Sequence, residues 1–152
     1  MASVGAAGDG NERPMQALSE AIGALAQPDQ CNEGFLRDDA ILVVTFITDE
    51  EEDPGKSPGD PDEWMADLVA AKNGNRAAVV VLGVFGDSDR PGSTCAPGGL
   101  MGNLGADPGY RLRAFVEGFE YGVAGSVCAS DYTPFFNDAV EAIDSACDAF
   151  TL

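Results

Sequence analysis

Residues 40–48, AILVVTFIT, are nine consecutive uncharged positions rich in Ile, Val, Thr and Phe, without regular polar alternation. Such a run is the signature of a strand buried on both faces, inside a parallel sheet with helices above and below. It changes abruptly into five acids at 49–53. In open α/β sheets, ligands bind in the crevice beyond the carboxyl ends of the strands. Asp49, at the predicted strand tip, is therefore the leading site candidate. Glu51 to Asp53 read more plainly as a solvated loop.

Residues 77–85, AAVVVLGVF, form a second uncharged β-branched run, and 122–129 a weaker third, thinned by Gly125 and Ser126 as in an edge strand. Helical spacing fills the gaps. Met15, Leu18, Ile22 and Leu25 make one apolar stripe, with Asn11 placed to cap it and Pro28 to stop it. Asp60-Pro61-Asp62-Glu63 opens a second helix with core face Met65, Leu68 and Val69. Asp107-Pro108 opens a third carrying Leu112, Phe115, Val116 and Phe119. A fourth starts at 131–134, its expected inner face Phe136, Val140, Ile143 and Cys147. Trp64 and the paired Phe residues read as core at these spacings.

Strands alternating with helices predict right-handed crossovers and an α/β fold: a doubly wound parallel sheet with helices on both faces. Three strands are few against a mean nearer five or six. The first already looks central, so the N-terminal strands of the sheet are missing. Its exposed edge would invite dimerisation. Residues 1–13 read as a Gly-rich N-terminal loop and 14–152 as one partial domain.

The net charge of −18 leaves no basic patch to neutralise phosphates, which argues against nucleic acid. No apolar run approaches the roughly 18–20 residues of a membrane helix, so no membrane insertion is expected. Residues 1–10 lack the basic start and apolar centre of a leader.

Cys31, Cys95, Cys128 and Cys147 are widely spread, and the chain has no His. Zinc needs closely spaced thiolates, so disulfides and an oxidising compartment are the favoured reading over buried free thiols. In a parallel sheet, Cys95 (after the second strand) and Cys128 (ending the third) share the carboxyl edge, which predicts that they pair. Cys31 precedes the first strand, and Cys147 lies near the end of a helix returning from the third. Both reach the amino edge, which leaves Cys31–Cys147 as the second bridge. Cys147 cannot meet Cys128, because a helix of some 14 residues spans roughly 20 Å and bridged Cα atoms lie within about 7 Å.

The segments GDGNERPMQALSEAI, CNEGFLRDDAILVVTFITDEEED and YGVAGSVCASDYTPFFNDAVEAIDSAC together resemble the C-terminal portion of a von Willebrand factor type A (vWA) domain of bacterial secreted and surface proteins. The resemblance implies a metal-ion-dependent adhesion site holding Mg²⁺ or another divalent cation. Asp49 matches its third-loop Asp. The loop that should offer a Thr reads Gly8-Asp9-Gly10-Asn11-Glu12, so Asp9 or Asn11 would substitute, and the D-x-S-x-S signature is absent.

The expected function is a non-catalytic protein-binding or adhesion module, secreted, periplasmic or on a cell surface, that takes a protein ligand at the carboxyl edge. One alternative is a scaffold domain with a decayed metal site. Another is a Mg²⁺-dependent phosphoryl-transfer enzyme using Asp87 and Asp89 after the second strand. Against that enzyme, only eight Lys and Arg exist and none clusters with these acids. Without His, Ser–His and Cys–His nucleophile pairs are excluded.

Overall fold

A computed structural model describes residues 12–55, 57–96 and 105–150 of the chain. In order they form α1 (Pro14–Ile22), β1 (Leu42–Ile47), α2 (Pro61–Ala71), β2 (Val79–Phe85), α3 (Tyr110–Glu117), β3 (Tyr121–Ser126) and α4 (Thr133–Ala149). The strands make one parallel sheet in the order β1-β2-β3, with Leu42 opposite Val79 and Val80 opposite Tyr121. The α/β alternation read from the sequence is therefore present.

Helices cover both faces of the sheet. β2 is buried along its whole length, and its side chains alternate between two cores. Val79, Val81 and Phe85 pack with Met15, Trp64, Leu68, Leu112 and Phe115 from α1, α2 and α3. Val80, Leu82 and Val84 pack with Phe135, Ala139 and Ala146 from α4. Glycine inside β2 has a packing cause. A Cβ on Gly83 would come within 2.8 Å of Phe46, Phe85 and Val116, the space in which Phe46 stacks on Phe85 at 6.1 Å. Gly125 in β3 leaves room for the Phe135 ring in the same way, its added Cβ meeting that ring at 2.6 Å.

β1 corrects the expectation of burial on both faces. Its burial alternates: Leu42 is covered, while Val43 is 39% and Ile47 66% exposed. The run is uncharged because one face meets the α1–α3 core, but α4 lies over β2 and β3 and leaves the other face of β1 open. α4 itself is rotated from its expected phase. Phe135, Ala139 and Ala146 face the sheet, whereas Phe136 and Val140 are more than half exposed. Alanines let the helix axis approach the strands, and the larger residues one position later are displaced to its flank.

Cys95 and Cys128 form the one disulfide among the described residues. The expected Cys31–Cys147 bridge is absent, and both thiols are free and exposed. Cys31 follows α1, which packs in one core, and Cys147 ends α4, which packs in the other. The sheet therefore separates them.

Candidate functional site

In a parallel sheet every helix that follows a strand starts at the carboxyl edge, so positive helix ends gather there. The acidic run 49–53 is built around this fact. Glu51 Oε2 accepts the amide of Arg111 at 2.7 Å in the first turn of α3. Glu52 is fully buried, and its Oε2 accepts the amide of Met15 at 2.9 Å in the first turn of α1. α1 is thus capped from 37 residues away. Asn11, the cap expected from sequence, lies outside the described residues. α2 is capped locally by the Asp60–Glu63 capping box. The plain solvated-loop reading of Glu51 and Glu52 is corrected accordingly. Arg111 locks the corner by donating to the Glu52 and Gly59 carbonyls and stacking on Trp64 at 4.6 Å.

Asp87 and Asp89 are also engaged. Asp87 accepts the amides of Thr94 and Cys95 at 2.9 and 2.8 Å, which anchors the disulfide loop. Burial works against its charge, but these amides and the Ser126 hydroxyl outweigh it and hold its pKa low. Asp89 receives Arg113 through two bonds of 2.6 and 2.9 Å, and that guanidinium lowers its pKa. Both carboxylates are thus engaged by contacts within the fold, Asp87 with the disulfide loop and Asp89 with α3.

Asp49 stands at the tip of β1, exposed, as expected. Its carbonyl accepts the Asp107 amide at 2.8 Å, and Gly109 N donates to the Gly86 carbonyl at 3.0 Å. Segment 105–109 is therefore tied to the ends of both β1 and β2. The Thr48 hydroxyl is tied to the Glu50 backbone. The pKa of Glu50 is raised, first by burial and then by repulsion from Glu12, Asp49 and Asp107. Among the described residues no three Asp, Glu, His or Cys side chains converge as a metal-holding group. Asp9, like Asn11, lies outside the described residues.

The second feature is the bare flank of β1, the unpaired edge expected from the sequence. Thr48 N donates to the Val84 carbonyl, so by strand alternation Val43, Thr45 and Ile47 turn their N–H and C=O groups outward, away from β2. Their side chains form the open half of the back face. α4 runs down that face, and with right-handed crossovers its own coil turns residues one position beyond Phe135, Ala139 and Ala142 toward β1. Those residues are Phe136, Val140 and Ile143. Ile143 and Ile41 accordingly pack on the same cluster. On that geometry β1 would form the floor and α4 the wall of a trough. A separate hollow of about 510 Å³ opens at the amino end of β1, lined by Phe35, Leu36, Arg37 and Val43 together with Lys72 at the end of α2.

Comparison of the chain with protein families, curated proteins and solved structures gives no match. Among the described residues no helix is long and apolar enough to cross a membrane.

Proposed function

We propose that this chain is a non-catalytic protein-binding module of the vWA type, secreted or on a cell surface, with the unpaired margin of β1 as its binding surface. One observation carries the reading. A strand with no charge and no proline is left open along its edge and on one face, with Val43 and Ile47 exposed on it and Phe136 and Val140 exposed on α4. Edge strands of self-sufficient sheets are blunted by lysine, proline or a bulge, and contiguous apolar patches on folded proteins mark interaction sites. The Cys95–Cys128 disulfide favours an oxidising compartment.

Selection of displayed peptides on the immobilised wild-type chain, followed by measuring their binding to a Val43→Asp, Ile47→Asp variant, tests the reading. Enriched peptides should bind wild type and lose the variant. Peptides that bind both equally sink it.

A second reading keeps a divalent cation at Asp49 and Glu50, with Asp9 or Asn11 contributing, because three acids already crowd Glu50. Calorimetric titration with Mg²⁺, Mn²⁺ and Ca²⁺, repeated on Asp49→Asn, decides it. Absence of heat and of any thermal shift removes it.

A further inference from the structure

We infer that the trough beside β1 receives a cationic strand-and-helix segment of another polypeptide, the strand extending the sheet at β1 and the helix lying against α4. This rests on the protein-binding reading and specifies its occupant.

Two features define the shape. Val43, Thr45 and Ile47 present outward N–H and C=O groups with no strand among the described residues beside them. Strand addition satisfies such groups, and main-chain pairing supplies affinity while alternate side chains supply specificity. The added strand alone would leave the floor of the trough wet, because Ile47 points to the back face, away from the α1–α3 core. A helix packed beside α4 at the usual 8–10 Å between axes would cover Ile47, Phe136 and Val140 together.

Charge selects the partner. The wall and floor of the trough are uncharged, but its rim is acidic: Asp49 and Glu50 at the carboxyl end, Asp38 and Asp39 beside Arg37 at the amino end, Asp144 and Asp148 along the crest of α4. That is six acids against two cations, Arg37, which pairs with Asp39, and Lys72, whose ammonium is held by the Arg37 carbonyl. A second copy is the poorer occupant, because two-fold pairing of β1 edges is antiparallel. It would set Asp49 and Glu50 of one copy against Asp38 and Asp39 of the other, between chains that each carry −18. A partner apolar on its inner side and rich in Lys or Arg around it meets both surfaces at once.

The probe is a synthetic peptide with an alternating Val/Thr strand joined to a Leu-faced helix, rimmed with Lys, and a twin rimmed with Glu. Titrated into the whole ¹⁵N-labelled chain, the Lys peptide should bind at least about tenfold tighter than its twin at low salt, with the gap closing near molar salt. Amide exchange at Val43, Thr45 and Ile47 should slow, and the resonances of Val140 and Ile143 should shift. Val43→Lys with Ile47→Lys, at positions exposed enough to leave the fold intact by circular dichroism, should abolish binding. Equal binding of the twin, perturbation mapped elsewhere, or sedimentation showing that the free chain dimerises through these amides overturns the inference. The first and third of these leave the margin of β1 a protein-binding surface. If displayed peptides also bind the Asp variant as well as wild type, the broader reading falls with it.

Discussion

Replacing Asp89 by Asn tests whether the carboxyl edge is a framework of structural acids. Arg113 is 8% exposed, and the side chains of the pair are 10% and 14% exposed. Arg113 also donates to the Gly86 carbonyl and lies 5.6 Å from the Phe85 ring centre, which holds its guanidinium against the core with only its margin toward water. Removing one partner of a buried pair costs about 3–5 kcal/mol. Asn retains one acceptor and the pair touches solvent at its margin, so the expected loss is about 2–3 kcal/mol. For a chain of this length that is a fall in Tm of roughly 4–12 °C. The loss depends on pH. Arg113 depresses the folded-state pKa of Asp89, so the stabilisation is complete above the unfolded value of about 3.9 and is lost as pH falls through the folded value. Urea unfolding of wild type, Asp89→Asn, Arg113→Met and the double variant should give a coupling energy of about 2 kcal/mol at neutral pH that shrinks in acid. A loss below about 0.5 kcal/mol, or a coupling indifferent to pH, would refute the structural role of this pair.

Cys95→Ala with Cys128→Ala opens a loop of 33 residues and should cost about 3–4 kcal/mol on the chain-entropy account; a non-reducing peptide map should join these two cysteines and find Cys31 and Cys147 alkylated in the native state. Glu51→Ala should destabilise by about 1–2 kcal/mol through the start of α3, read as faster amide exchange at Arg111. Glu50→Gln should stabilise at neutral pH by less than about 1 kcal/mol, because a carboxylate whose folded pKa is raised loses stability as pH climbs through it. That gain should vanish in acid, and a destabilised Gln variant at neutral pH would contradict the acid crowding.

The strand-helix order and the parallel sense of the sheet were legible because each strand is an uncharged run and each helix has a stop and a start around it. The Cys95–Cys128 bridge was legible from topology alone, since strands of one sense send their following loops to one edge. Three things were not. β1 reads like a central strand because composition records what a strand was built to touch, not which neighbours are present. α4 carries two apolar stripes, 135/139/142/146 and 136/140/143/147, and size favours the second while close packing on a sheet favours the alanines of the first. The acids at 49–53 look like a solvated run because the amides they cap lie 37 and 60 residues away in the chain.

The acids crowding Glu50 and the apolar margin of β1 are two features that the helix caps do not absorb, and they adjoin at one corner, where Ile47 is followed by Thr48, Asp49 and Glu50. Their adjacency has a thermodynamic consequence. A partner that covers Ile47 reduces the water around Glu50, and burial already heads the causes of its raised pKa. An occupant without charge there would raise that pKa further, take up a proton and bind more tightly as pH falls. An occupant that sets a Lys or Arg beside Glu50 would lower the pKa and expel the proton, so its affinity would rise with pH through the titration of Glu50. The Lys-rimmed peptide should therefore strengthen with pH and the Glu-rimmed twin weaken, each dependence disappearing in Glu50→Gln. Calorimetry in two buffers of different ionisation heat reads the proton count directly. Uptake of protons by the Lys peptide would show that its charges do not reach this corner, and that the acidic rim is not what selects the partner.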